Sequence, residues 1–292
     1  MTPRDGAAGQ AGPVVVITDS AASLPGELTA RYAIRVVPLR LLAGGVAADD
    51  DGSATTSAQL ASGGRASTSG PAPDRFVAAY QEASAKGARA AVCVLMAREL
   101  SGTVRSAELA SARAALPVRV VDSRSIGMGT GLVALAAAAA ARSSAGAAEV
   151  AAAAEQRAGL ATTFVALASA DAALGSGRLR VPVSAAAALR WRPLLQVREG
   201  RVEVIERVRT AGAATTRLAE LGAGFCQRRV ADVGILHTAN RERAAELAGL
   251  IREAVPGVVI HLAEASAAIA VHAGPGMLAV SLAPHEALAA RP

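Results

Sequence analysis

Aromatic side chains are nearly missing from this 292-residue chain: three Phe, two Tyr and one Trp make up 2% of it. Six rings cannot build a platform for stacked bases. The arginines are scattered and accompanied by acids, as in Arg241, Glu242, Arg243 and Glu246. The net charge of +6 therefore does not read as a nucleic-acid surface. Lysine is reduced to Lys86, and with the excess of alanine this reads as compositional drift. Cysteine is scarce as well. Cys93 lies inside the apolar run Ala90–Met96 and Cys226 is far from it, a pattern expected of buried, reduced thiols. His237, His261, His272 and His285 have no i,i+4 or CxxC companions, so no metal site is expected. Long hydrophobic runs are missing too. The alanine-rich stretch Ile126–Ala141 stops at Arg142, short of the roughly 20 strongly apolar residues of a membrane span. Behind the polar Met1–Pro13, the run Val14–Ile17 is too short for a signal-peptide core. These readings predict a soluble, cytoplasmic chain without stable membrane insertion, its residues 1–12 a disordered tail.

What is present is a hydrophobic share of 52%, enough for a real core, arranged in two rhythms. In the first half, β-type runs at Val14–Thr18, Arg35–Leu39, Ala91–Leu95 and Val118–Asp122 each precede a helical stretch, as in βαβ units of a parallel sheet. Leu132–Ala141 is nearly pure alanine, an excellent helix former but a poor filler of cores. In the second half, Thr163–Ala168, Leu194–Val197, Val202–Val208, Val230–Leu236, Val258–Leu262 and Met277–Leu282 read as strands. Arg198-Glu199-Gly200-Arg201 marks a hairpin turn. Helices are expected at Thr215–Phe225 and Arg241–Ala254. The chain divides into a parallel α/β domain over 13–160 and a mixed-sheet α/β domain over 161–292.

Standard catalytic signatures are not found. Lys86 precedes Gly87 and completes no P-loop, and no serine has G-x-S-x-G spacing. Gly129-Thr130-Gly131-Leu132-Val133-Ala134 fits G-x-G-x-x-A, but Glu149, twenty residues on, falls at a helix start where no ribose could meet it.

Hydroxyl clusters at strand–helix junctions remain. Ile17-Thr18-Asp19-Ser20 and Val121-Asp122-Ser123 end two strands, and helix capping is the simpler reading of Asp19 and Asp122. Leu100-Ser101-Gly102-Thr103 opens a helix at the carboxyl end of a parallel strand, a ready anion site. Ser67-Thr68-Ser69-Gly70-Pro71 adds three hydroxyls in a loop before the helix Asp74–Lys86. Together these resemble a small carboxylate or phosphate pocket.

Their order along the chain carries a resemblance. Val16-Ile17-Thr18-Asp19-Ser20, Val37-Pro38-Leu39, Ser67-Thr68-Ser69-Gly70-Pro71, Leu100-Ser101-Gly102-Thr103, Val121-Asp122-Ser123, Gly175-Ser176-Gly177-Arg178, Arg192-Pro193, Arg207-Val208-Arg209 and His272-Ala273-Gly274-Pro275-Gly276 follow one another. Over about residues 13–283 the sequence resembles the DegV family of bacterial fatty-acid-binding proteins. The resemblance implies a fold of two unlike α/β domains, a three-layer parallel-sheet domain followed by a two-layer mixed-sheet domain. A long-chain fatty acid would lie between them, with no other cofactor. It also implies that the chain is not an enzyme but presents the carboxylate to a separate fatty-acid kinase subunit. By position, the fatty-acid site would draw on Thr68, Ser69, Arg98, Ser101, Gly102, Arg178 and His272.

Two departures bear on that site. Where the family usually shows S-S-x-L-S-G-T, this chain has Ala97-Arg98-Glu99-Leu100-Ser101-Gly102-Thr103. Either Arg98 grips the carboxylate through a charge-assisted contact, or it pairs with Glu99 or solvent and the head-group site is degraded. The usual T-S-Q-P-S has also lost its Gln, and His272 could simply tie down the Gly-Pro-Gly turn. Two other readings stand beside the carrier: a carbonyl-binding domain similar to that of dihydroxyacetone kinases, with His237 as the substrate-holding histidine, and a diverged DegV-like protein that no longer binds lipid.

Overall fold

The β-branched run Val14–Asp19 (β1) is the seed of a parallel sheet. It is flanked by Arg35–Val37 (β2) and Ala90–Leu95 (β6), with Val118–Asp122 (β7) beyond, in the order β2-β1-β6-β7. The computed structural model describes residues 13–43, 46–51, 66–169 and 191–285. Alternation along β6 shows why three layers form. Val92 and Val94 pack against Met128–Arg142 (α4) and Ala147–Leu160 (α5), while Ala91, Cys93 and Leu95 pack against Pro73–Ala85 (α2) and Thr103–Ser111 (α3). The alanine-rich α4 fills space in a way its composition did not promise. Ala134, Ala137 and Ala138 of α4 meet Val150, Ala151 and Ala154 of α5 in one buried cluster. Small side chains let the two helices approach closely, and close approach replaces bulk.

The second half builds a six-stranded sheet, β10-β9-β8-β13-β11-β12, from Thr162–Ala166 (β8), Arg192–Arg198 (β9), Arg201–Val208 (β10), Ala231–His237 (β11), Ile260–Glu264 (β12) and Leu278–Pro284 (β13). Only β11 and β12 run parallel; the other neighbours are antiparallel. The hairpin β9–β10 turns at Glu199 and Gly200, both at positive φ. One face of this sheet carries Phe164, Leu194, Ile235 and Val280 against Ala211–Cys226 (α6) and Arg241–Ala254 (α7). The other face carries Val165, Leu195, Leu236 and Ala279 toward the first half, where Met128 of α4 joins them.

Two expectations need correction, and one rejected motif is accounted for. Ser67–Ser69 is not loop. Ala66–Ser69 (β5) pairs with Arg40–Ala43 (β3), which also pairs with Val46–Asp49 (β4), in a small antiparallel sheet. Its polar, alternating sequence hid it among turn formers. Asp19 makes no cap hydrogen bond to the short 3-10 turn that follows it, although the Ala21 and Ala22 amides of that turn lie close enough to favour its charge; its Oδ2 accepts the Met96 amide at 3.0 Å. The G-x-G-x-x-A run lies inside α4, where a side chain on Gly131 would come within 2.8 Å of Leu24 Cδ2. Its glycines serve close packing, not a phosphate. The proposed tail over residues 1–12 and the Gly175–Arg178 motif lie outside the described residues.

Candidate functional site

The face of the six-stranded sheet that looks toward the first half does not close completely. Val165, Leu167, Leu195, Val197, Met277 and Ala279 form one wall of a cavity with about 980 Å³ of empty space, its mouth included. Leu39, Met96, Leu100 and Ile126 of the first half face them, with Ile269 and Ala273 of the short helix Ala267–Ala273 (α8). Small residues, including Ala279, Ser281, Ala268 and Ala273, leave the space unfilled. The wall is almost wholly apolar, as in sites for hydrocarbon ligands. On the sheet side Thr163 and Ser281 are the exceptions, and their hydroxyls satisfy each other at 2.9 Å, with Ser125 Oγ 3.3 Å from Thr163 Oγ1.

Polar groups gather where β5 and α8 meet. Thr68, paired to Leu41 across the small sheet, points its Oγ1 to within 2.6 Å of His272 Nε2. His272 sits in the last turn of α8, before Gly274 at φ 71°. The start of α8 is held from three sides. Ser266 Oγ accepts the Ile269 amide, Asp50 accepts the amides of Ala267 (3.1 Å) and Ala268 (3.3 Å), and Ser23 Oγ accepts the Ser266 amide. Asp50 is fixed in turn by Ser20 Oγ at 2.8 Å, and Ser20 Oγ accepts the Leu39 amide. The Asp19-Ser20 motif is thus a structural tie between the first half and the helix that carries His272. Buried beside it, the Asp19 carboxyl is pushed up to about 7 by desolvation, against the pull of the Met96, Ala21 and Ala22 amides.

Thr68, Ser69, Ser101 and His272 all line this one cavity, although 204 residues separate Thr68 from His272. Ser101 Oγ is 2.7 Å from Thr103 Oγ1 and accepts the Thr103 amide, so part of its capacity is spent on the start of α3. Gly102 occupies the cap position of α3 without lining the cavity. Arg98 is directed elsewhere. Its Nε donates to Asp122 at 3.2 Å and its terminal nitrogen to Glu108 at 3.0 Å, with 53% of the side chain exposed. Those two carboxylates, not a ligand in the cavity and not Glu99, hold the guanidinium. Arg178 lies outside the described residues.

The residues that sequence reasoning missed are the cavity walls. Their signal is the period-two alternation of Thr163, Val165 and Leu167, of Leu195 and Val197, and of Met277, Ala279 and Ser281. Because the opposite face is apolar too, that alternation does not stand out in the sequence. No group of three or more His, Cys, Asp or Glu suited to a metal ion occurs among the described residues. Among the same residues, no helix is long and apolar enough to cross a membrane.

Comparison with known proteins gives a consistent answer. The family model described as "Uncharacterised protein, DegV family" matches residues 13–285. A DegV domain-containing protein of Streptomyces coelicolor is 36% identical over 272 residues, covering 91% of this chain and 97% of its own length. The crystal structure of a DegV family protein of Corynebacterium glutamicum superposes with a TM-score of 0.82 at 29% identity, covering 94% of this chain and 99% of that one. A DegV family protein of Thermus thermophilus, solved with reference to its fatty acid binding, gives a TM-score of 0.82 at 26% identity, covering 94% and 100%. With its parallel-sheet half, its mixed-sheet half and its ordered motifs, this chain belongs to the DegV family.

Proposed function

We propose that this protein is a carrier that binds one long-chain fatty acid in the apolar cavity between its two halves. The observation that carries the reading is the Thr68–His272 pair, 2.6 Å apart, set beside a cavity walled by Val165, Leu195, Leu236, Met277 and Ala279. A carboxylate needs donors, and a hydrocarbon tail needs a dry wall; here the two lie side by side. In this reading Thr68 and His272 hold the carboxylate, while Ser69 and Ser101 border it. Arg98 takes no direct part, since Asp122 and Glu108 occupy it. Arg178 and Gly102 stay with the family's pattern as secondary contributors. Each methylene taken from water contributes roughly 0.8 kcal/mol before the costs of binding, so the tail supplies affinity and the polar pair supplies orientation.

The carrier has no chemistry of its own. Ser69 is exposed and Thr68 half-buried, which leaves the head group within reach of a second protein. That partner is a separate fatty-acid kinase that transfers a phosphoryl group from ATP to the carboxylate. The work is done in the cytoplasm. Native mass spectrometry of protein purified from its host should show the added mass of one fatty acid. Palmitate or oleate added to delipidated protein at 100 times its Kd should stabilise it by about 2.7 kcal/mol, a rise of several degrees in Tm. Acyl phosphate should form with ATP only when a kinase subunit is added. An unchanged melting curve across a panel of fatty acids would overturn the carrier, and ATP hydrolysis by the pure chain would overturn the division of labour.

A further inference from the structure

On its sheet wall the acyl cavity is apolar except at one place. Thr163 of β8 and Ser281 of β13 stand directly opposite each other across the antiparallel pair, and both line the cavity. With Ser125 behind them they form a row of three hydroxyls, Ser125 to Thr163 at 3.3 Å and Thr163 to Ser281 at 2.9 Å. All three residues are buried. Valine or alanine would continue the wall at these positions without the cost of burying a polar group.

The row has more donors than contacts. Three hydroxyls bring three O–H groups, and the two contacts within the row use two of them. None of the three oxygens has a further hydrogen-bond partner among the described residues. One O–H is therefore left over whichever way the protons point, although a buried donor ordinarily finds an acceptor. When Ser125 donates to Thr163, the spare O–H falls on Thr163 or Ser281, at the cavity surface. Lone pairs remain free there as well, so the group that matches the row is a hydroxyl, which accepts and donates at once.

The place of the row along the cavity is set by the strands. Thr238 Oγ1 donates to the Gly274 carbonyl at 2.5 Å, which holds the end of α8, next to His272, at the edge of the sheet where His237 pairs with Leu278. Ser281 lies three residues further along β13, about 10 Å at the rise of a strand. A chain whose carboxylate sits at Thr68 and His272 would pass the row part-way along its length. We infer that the cavity selects long-chain fatty acids bearing one hydroxyl group in mid-chain, which joins the row at Thr163 and Ser281. This rests on the carrier reading. A wholly apolar tunnel would strip such a hydroxyl of water and return nothing, whereas this wall offers it both a donor and an acceptor.

Delipidated full-length protein would be titrated calorimetrically with stearate and with three hydroxystearates, the hydroxyl placed beside the carboxyl, at mid-chain and near the methyl end. The mid-chain isomer should bind about fivefold or more tighter than stearate, and the other two more weakly than stearate. Ser281→Ala should reverse the order of stearate and the mid-chain isomer, and Thr163→Val should do the same, so the result does not hang on one variant. If stearate binds and the mid-chain isomer binds no tighter, the inference is overturned while the carrier stands. If both variants lose stearate and hydroxystearate alike, the row serves the carboxylate and selection by a mid-chain hydroxyl is again overturned. If no fatty acid binds the wild type, the carrier reading falls and takes this inference with it.

Discussion

Replacing Asp19 by asparagine should remove most of one component of the pH dependence of folding, and its size can be worked out in advance. Asp19 is fully buried at the end of β1. Its Oδ2 accepts the Met96 amide at 3.0 Å, and its Oδ1 has no hydrogen-bond partner among the described residues. Desolvation, aided slightly by the Asp50 charge, raises its pKa from 3.8 to about 7. A carboxyl with a raised folded-state pKa binds its proton more tightly in the folded chain than in the unfolded one. Its contribution to stability is therefore complete below the unfolded value and lost as pH rises through about 7. At 1.36 kcal/mol per pH unit the full swing is about 4 kcal/mol, of which about 2–3 kcal/mol falls between pH 5 and pH 8.5.

His237 complicates the raw curve, because burial lowers its pKa. A histidine held neutral contributes stability that is present above its unfolded pKa and lost as pH falls, the opposite sense to Asp19. Wild type alone is thus ambiguous. The Asp19→Asn variant keeps His237, so the difference between the two proteins isolates the carboxyl. Urea unfolding of both at pH 5 and pH 8.5 should show the variant gaining about 2–3 kcal/mol on the wild type as pH rises. A difference flat within about 0.5 kcal/mol would refute the buried, under-partnered carboxyl.

Further expectations concern the cavity and its frame. Thr68→Val removes one neutral hydrogen bond, about 0.5–1.5 kcal/mol, and isothermal titration should show palmitate bound roughly 2- to 12-fold more weakly; unchanged affinity would move the head group away from β5. Arg98→Ala breaks exposed ion pairs to Asp122 and Glu108 and should leave palmitate affinity within about twofold and stability within about 1 kcal/mol; a large loss of affinity would return Arg98 to the site. In Gly129→Ala the new methyl would run into Ser125 Oγ and sit 2.6 Å from Thr163 Oγ1. Overpacking of about 1–3 kcal/mol should exceed the helix-propensity gain of about 1 kcal/mol, so Tm should fall, and a rise would mean the hydroxyl cluster yields freely.

What the sequence made legible depended on whether a signal was local. Val118–Asp122 and Arg241–Ala254 are observed at the expected bounds, because hydrophobic periodicity and flanking turns are written within a few residues. The small β3–β4–β5 sheet was not legible. Its strand Ala-Ser-Thr-Ser has the composition of a turn, and only its pairing with Arg40–Ala43 makes it a strand. Thr68 and His272 could be nominated separately through ordered motifs, but their meeting rests on α8 being tied to the first half through Asp50 and Ser20 and on β5 being paired to β3. Arg98 shows the converse. Its neighbour in sequence, Glu99, was the obvious partner, yet the fold offers Asp122 at the end of the next strand and Glu108 on the next helix. A long arginine side chain chooses among carboxylates by their places in space, and those places are set by strand order. The same dependence explains the cavity. Ala279 and Ser281 on the sheet and Ala273 on α8 are unremarkable in sequence and line a void only when the fold sets that sheet, packed against Met128 of α4, opposite α8 and the first half.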